Sequence, residues 1–182
     1  MWGDGGSFGT QAEIAWDFNG NGSVDLLVTE SRYEDGSSFS IPGRTLIFED
    51  PPSSGTMEVA DATVDLYGDG SGCSDCAYAG ASGIGDINGD SYDDLLILVS
   101  DVPPEGRGYL FYGPISPDLG SNTEADATID GDEAGRLGSG GAKYDAGDVD
   151  ADGFSDFLVP KYARIGTSET TVVSVFKGAP GP

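Results

Sequence analysis

The chain has 182 residues and carries 32 Asp and Glu against 8 Lys and Arg, a formal net charge of -24. Nucleic acid and anionic membrane need a basic surface, so both are excluded as partners, and no run approaches the ~18–20 apolar residues of a membrane helix. With no histidine, Ser-His-Asp and Cys-His catalysis and histidine-ligated metals are excluded too.

In chain order, the first 7 residues are glycine-rich and do not form a signal peptide, having neither a basic start nor an apolar stretch. An acidic loop follows, Asp17-Phe18-Asn19-Gly20-Asn21-Gly22-Ser23-Val24-Asp25, which runs into the apolar strand Leu26-Leu27-Val28. Thr45-Leu46-Ile47-Phe48 reads as the next strand and Ala62-Thr63-Val64-Asp65 as another. Cys73-Ser74-Asp75-Cys76 comes next. It lacks the βαβ context of a redox motif and the two further ligands zinc requires, which leaves a local disulfide or two free thiols.

A second acidic loop spans Asp86-Ile87-Asn88-Gly89-Asp90-Ser91-Tyr92-Asp93-Asp94 and leads into Leu95-Leu96-Ile97-Leu98. The strand Tyr109-Leu110-Phe111-Tyr112 could offer a sugar-binding platform, but alternate positions of a strand more often fill a core. Ala127-Thr128-Ile129-Asp130 repeats the Ala-Thr-Val-Asp stretch. The third acidic loop, Asp148-Val149-Asp150-Ala151-Asp152-Gly153-Phe154-Ser155-Asp156, precedes Phe157-Leu158-Val159, and Val172-Val173-Ser174-Val175-Phe176 is the last strand. The few basic residues, among them Arg32, Arg44, Arg107, Lys143 and Arg164, form no cluster.

The first aspartate of the loop recurs after 69 and then 62 residues (86 − 17 and 148 − 86). A triplicated unit of about four short strands, with no helical periodicity, predicts an all-β array of propeller-type blades of four antiparallel strands. The expected division is 1–58, 59–122 and 123–182, about three blades.

Each loop reads D-x-[DN]-x-[DN]-x-x-x-D. Oxygens alternating at positions 1, 3 and 5, a backbone carbonyl at position 7 and an aspartate at position 9 suit a hard cation that takes six to eight oxygen ligands. The predicted ligands are Asp17, Asn19, Asn21, Ser23 and Asp25; Asp86, Asn88, Asp90, Tyr92 and Asp94; and Asp148, Asp150, Asp152, Phe154 and Asp156. Up to three calcium ions are expected. The pattern argues against an EF-hand, because position 12 is Val28, Ile97 or Val159 inside an expected strand rather than a bidentate Glu. Solvated acidic turns without metal are the bland alternative. Carboxylates number two, three and four among the four predicted side-chain ligands of the successive loops, so the third site is expected to bind tightest and the first weakest. Ser91 replaces the position-6 glycine, and the second loop is expected to be the least regular.

The loops and the strands after them resemble the FG-GAP repeats of integrin α-type β-propellers. Phe8-Gly9 stands where the family's FG pair would, and Ile84-Gly85-Asp86 and Ala146-Gly147-Asp148 match its Gly-Asp lead-in. The sequence departs from the pattern at Trp16, which replaces that glycine. It departs again at Thr29-Glu30-Ser31, where GAP would fall, and at Leu137-Gly138, which stands for FG. Gly178-Ala179-Pro180 comes only after the final strand. The resemblance implies that calcium ions brace the blade loops, in an extracellular or cell-surface setting; it does not imply an integrin ligand or partner. The first reading of function is a non-enzymatic module for binding or adhesion, with a protein or glycan ligand. A segment of a carbohydrate-active enzyme and a purely structural segment of a large surface protein are the alternatives. Closed propellers have about four to eight blades, so about three implies a piece of a longer propeller, a partial array, or a half completed by a second copy.

Overall fold

A computed structural model describes residues 8–30, 43–68, 78–100, 102, 105–131, 135–138, 144–165 and 168–181. Cys73, Cys76, Arg32 and Lys143 lie outside the described residues. The chain is all-β: among the described residues, twelve strands form three antiparallel sheets. Two short 3-10 turns, Val59–Asp61 and Asn122–Glu124, are the only helical turns among the described residues. No helix among them is long and apolar enough to cross a membrane.

The first sheet is β1 (Phe8–Trp16), β2 (Asp25–Glu30), β3 (Arg44–Phe48) and β4 (Val64–Tyr67), in that order. The second is β5 (Tyr78–Gly83), β6 (Leu95–Val99), β7 (Arg107–Phe111) and β8 (Ala127–Asp130), again in chain order. In the third, β10 (Asp145–Gly147), β11 (Asp156–Ile165) and β12 (Ser168–Phe176) follow in order, while β9 (Gly135–Leu137) pairs with the far half of β11. Among the described residues no sheet closes on itself.

Sheet membership divides the chain differently from the sequence repeat. The Val64 strand completes the first sheet rather than opening the second, because a short return from β3 brings it back beside Ile47. The two Ala-Thr-Val/Ile-Asp stretches also pair out of step. Leu46 faces Asp65, whereas Tyr109, its counterpart in the second sheet, faces Thr128. The shift is two residues, which keeps every side chain on its own face. A 3-10 turn closed by a capping box, Glu58 with Asp61 and Ser121 with Glu124, launches each of these strands.

The core follows one rule. Counting from the aspartate that ends each loop, the first residue of the strand faces back and the second faces forward. Leu27, with Ile47, Val64 and Leu66, packs forward onto Leu95, Ile97, Tyr109 and Phe111 of the second sheet. Leu96, Leu98 and Leu110 pack forward onto Phe157, Val159 and Tyr144 of the third. All of β6 is therefore buried, apolar on both faces, as a central strand must be. Tyr109 and Phe111 are core residues, as expected. The backward face of the first sheet, Val28, Leu46 and Phe48, is closed over by Met57 and Ala62. On the forward face of the third sheet, Tyr162, Val173 and Val175 are 48%, 51% and 54% exposed. β12 has no fourth strand beside it among the described residues. A buried ion pair, Arg44 Nε to Glu30 at 2.7 Å, ties β3 to β2.

Candidate metal centres

The three loops share one wiring. At position 1, Asp17 accepts from the N–H groups of Asn21 and Gly22 at 3.0 and 2.8 Å. Asp86 accepts from Asp90 and Ser91 at 3.2 and 2.9 Å, and Asp148 from Asp152 and Gly153 at 3.1 and 2.9 Å. At position 3, Asn19 and Asn88 turn their carbonyl oxygens onto the position-5 N–H at 3.0 and 2.9 Å. At position 5, Asn21, Asp90 and Asp152 accept from the N–H of Ser23, Tyr92 and Phe154 at 2.7, 3.0 and 3.0 Å. The side-chain oxygens of each turn are thus held in place by the local backbone.

Position 9 is a latch. Asp25, Asp94 and Asp156 are fully buried. One oxygen of each accepts the position-2 N–H: Phe18 at 2.9 Å, Ile87 at 2.9 Å and Val149 at 2.8 Å. The other accepts an N–H from the chain just beyond the third strand: Asp50 at 3.1 Å, Gly113 at 2.8 Å and Gly178 at 3.0 Å. Gly178 therefore takes the place that Asp50 and Gly113 hold in the other loops. Sequence alone gave Gly178-Ala179-Pro180 no such role. The signal that would have found it is the Gly that follows the aromatic strand in two of the three units.

Burial pushes the Asp25 carboxyl above its usual range, with Glu49 and Asp17 adding to the rise. It pushes Asp94 up to about 7, helped by the charges of Asp90 and Asp86. A cation in the loop would offset both effects.

The loops also grip one another. The rings at position 7 lie on the position-4 glycine of the preceding loop: a Cβ on Gly20 would come 2.4 Å from the Tyr92 ring, and one on Gly89 2.5 Å from Phe154. The Asp93 and Ser155 N–H groups donate to the Asp17 and Asp86 carbonyls at 3.2 and 2.9 Å. The Tyr92 and Phe154 side chains, predicted to matter only through their carbonyls, thus join neighbouring loops.

Ser91 does not make the second loop irregular. It takes a left-handed φ of 74°, beside 85° at Gly22 and 98° at Gly153, and donates the same N–H bond.

The carboxylates gather closest in the third loop. Asp148, Asp150 and Asp156 each offer an oxygen, all within 4.8 Å of one another. Asp152 lies outside that group, and Asp86, Asp90 and Asp94 make no comparable one. A hard cation suits such an all-oxygen set. The ammonium of Lys177 already contacts Asp150, a partner that sequence reasoning missed.

Fold and loops together define an all-β repeat protein with three acidic loops wired alike. No known family model matches the chain, and no curated protein matches it.

Proposed function

We propose that the chain is a run of FG-GAP-like, propeller-type blades braced by calcium, serving as a non-enzymatic binding module in an extracellular or cell-surface setting. The observation that carries this reading is the shared wiring of the three loops, which ends each time on a buried aspartate latched to two backbone N–H groups. Asp148, Asp150 and Asp156 would hold an ion in the third loop. Asp17, Asn19, Asn21 and Asp25 would do so in the first, and Asp86, Asn88, Asp90 and Asp94 in the second. The ion would supply charge neutralisation: three calcium ions would take the formal charge from -24 to -18 (adding 3 × 2).

The forward/backward packing supports a propeller-type array, since every sheet offers its neighbour the same kind of face. A glycan or protein ligand would be presented on a scaffold that the metal stiffens. Calorimetric titration of calcium into the chelator-stripped chain tests the brace. Saturable heat and a melting temperature that rises with calcium are expected. No heat, with the same melt in excess chelator, sinks it. A glycan array with and without calcium then tests the binding role, and hydrolysis of an arrayed glycan would favour an enzyme instead.

A further inference from the structure

The three sheets meet over Gly80, which lies on β5. Glu13, on β1, is 5% exposed there. Its carboxylate accepts from Gln11 Nε2 at 2.8 Å, Trp16 Nε1 at 2.9 Å and Ser82 Oγ at 2.9 Å. These three partners are neutral. Beside them, Gln11 Oε1 and Tyr144 Oη are buried without a hydrogen-bond partner. Both oxygens lie against the same glycine: a Cβ on Gly80 would stand 2.8 Å from Gln11 Oε1 and 3.0 Å from Tyr144 Oη. The absence of a side chain on Gly80 lets the two oxygens come this close to its backbone.

A buried carboxylate is costly unless its charge is compensated, and buried oxygens are costly unless they are bonded. A water molecule would satisfy Gln11 and Tyr144 but leave Glu13 charged. A divalent ion would want more than one carboxylate. One carboxylate with two neutral oxygens matches a single positive charge. We propose that this junction binds a monovalent alkali cation, sodium or potassium, held by Gln11 Oε1 and Tyr144 Oη beside the Glu13 carboxylate. Burial and the nearby Glu13 charge push the Tyr144 phenol upward, so it would meet the ion as a neutral ligand. The ion would join Gln11 of the first sheet to Tyr144 at the head of β10, beside Gly80 of the second sheet. This site is independent of the acidic loops.

Thermal unfolding of the whole chain in excess calcium, at constant ionic strength, tests it with sodium, potassium or N-methyl-D-glucamine chloride. The midpoint should rise saturably with one alkali ion over the bulky organic cation, and the two alkali arms identify which. Gln11→Leu and Tyr144→Phe should each raise the half-saturating concentration by about tenfold. Gly80→Ala should abolish the response; if it fails to fold, the other two variants still decide. Crystals soaked in thallium(I) should show an anomalous peak between Gln11 and Tyr144. Equal midpoints in all three salts, a response unchanged in the variants, or a water without anomalous signal at that spot would overturn the proposal.

Discussion

The Asp17 N–H donates to the Asp93 carboxylate at 2.7 Å, and the Asp17 carbonyl accepts the Asp93 N–H in return at 3.2 Å. The first and second loops are thus joined by two bonds at the residue that begins one and the residue that nearly ends the other. At the next junction Ser155 supplies only the backbone half, to Asp86 at 2.9 Å. Removing the Asp93 side chain strands a part-buried N–H, which costs about 1–3 kcal/mol. Asp93→Ala should therefore lower stability by about that much in urea unfolding, and Ser155→Ala by clearly less. Equal losses would show that the side-chain bond contributes nothing.

Lys177 bears on the order of the metal sites. Counted by carboxylates alone, the third loop should bind calcium tightest. Its Asp150 already has an ammonium partner, which holds that carboxyl below its usual range. Lys177→Met should tighten the third site by about two- to fivefold, a modest gain because the pair is solvent-exposed. Site-resolved calcium titration, with Asp148→Ala identifying the third site, checks this. An unchanged affinity would mean the ammonium swings clear when the ion enters.

Asp94 sets a pH dependence. Its folded carboxyl titrates at about 7, up from an ordinary value of 3.8, with burial the first cause. A carboxyl raised by folding binds its proton more firmly when folded, so its contribution is fully present below the unfolded value and is lost as pH rises through the folded one. Asp25 and Asp93 are raised in the same direction, again chiefly by burial. In chelator, the chain should resist urea better at pH 5 than at pH 8. Asp94→Asn should flatten the slope, and so should excess calcium. A midpoint that rises from pH 5 to pH 8 in chelator contradicts the assignment.

Two loop positions require a left-handed backbone. Ser91 and Ala151 adopt it with φ of 74° and 62° despite having a Cβ. Relieving that strain with Ser91→Gly should raise stability by about 1 kcal/mol. Gly20→Ala should act in the opposite sense, since its φ is 71° and the new methyl would meet the Tyr92 ring. Differential scanning calorimetry of both variants in chelator measures the pair. A stabilised Gly20→Ala would mean the ring yields freely.

The loops were legible in the sequence because their wiring is local. Asp17, Asn19 and Asn21 find their backbone partners within five residues, and a hydrophobic strand follows each turn. All-β character and the burial of Tyr109 and Phe111 were legible for the same reason. Long-range pairings were not. The repeat could show that Val64 belongs to a strand, but not that it completes the sheet behind it. Nor could it show that Asp93 reaches back to Asp17, since 76 residues separate them and nothing local marks the bond. The cluster of Gln11 and Glu13 with Gly80 and Tyr144 was hidden likewise, being assembled from three distant stretches. Lys177 was invisible because its partner Asp150 lies 27 residues away across a hairpin.

The second sheet presents unlike faces, one to the sheet before it and one to the sheet after it, so the array has polarity, as a polymer has a head and a tail. Duplicating one loop-and-sheet unit within it would insert a block that already matches both neighbours, so the architecture lengthens without redesign. The same polarity disfavours a two-fold dimer through Val173 and Val175: it would set forward face against forward face, a contact not found among the described residues.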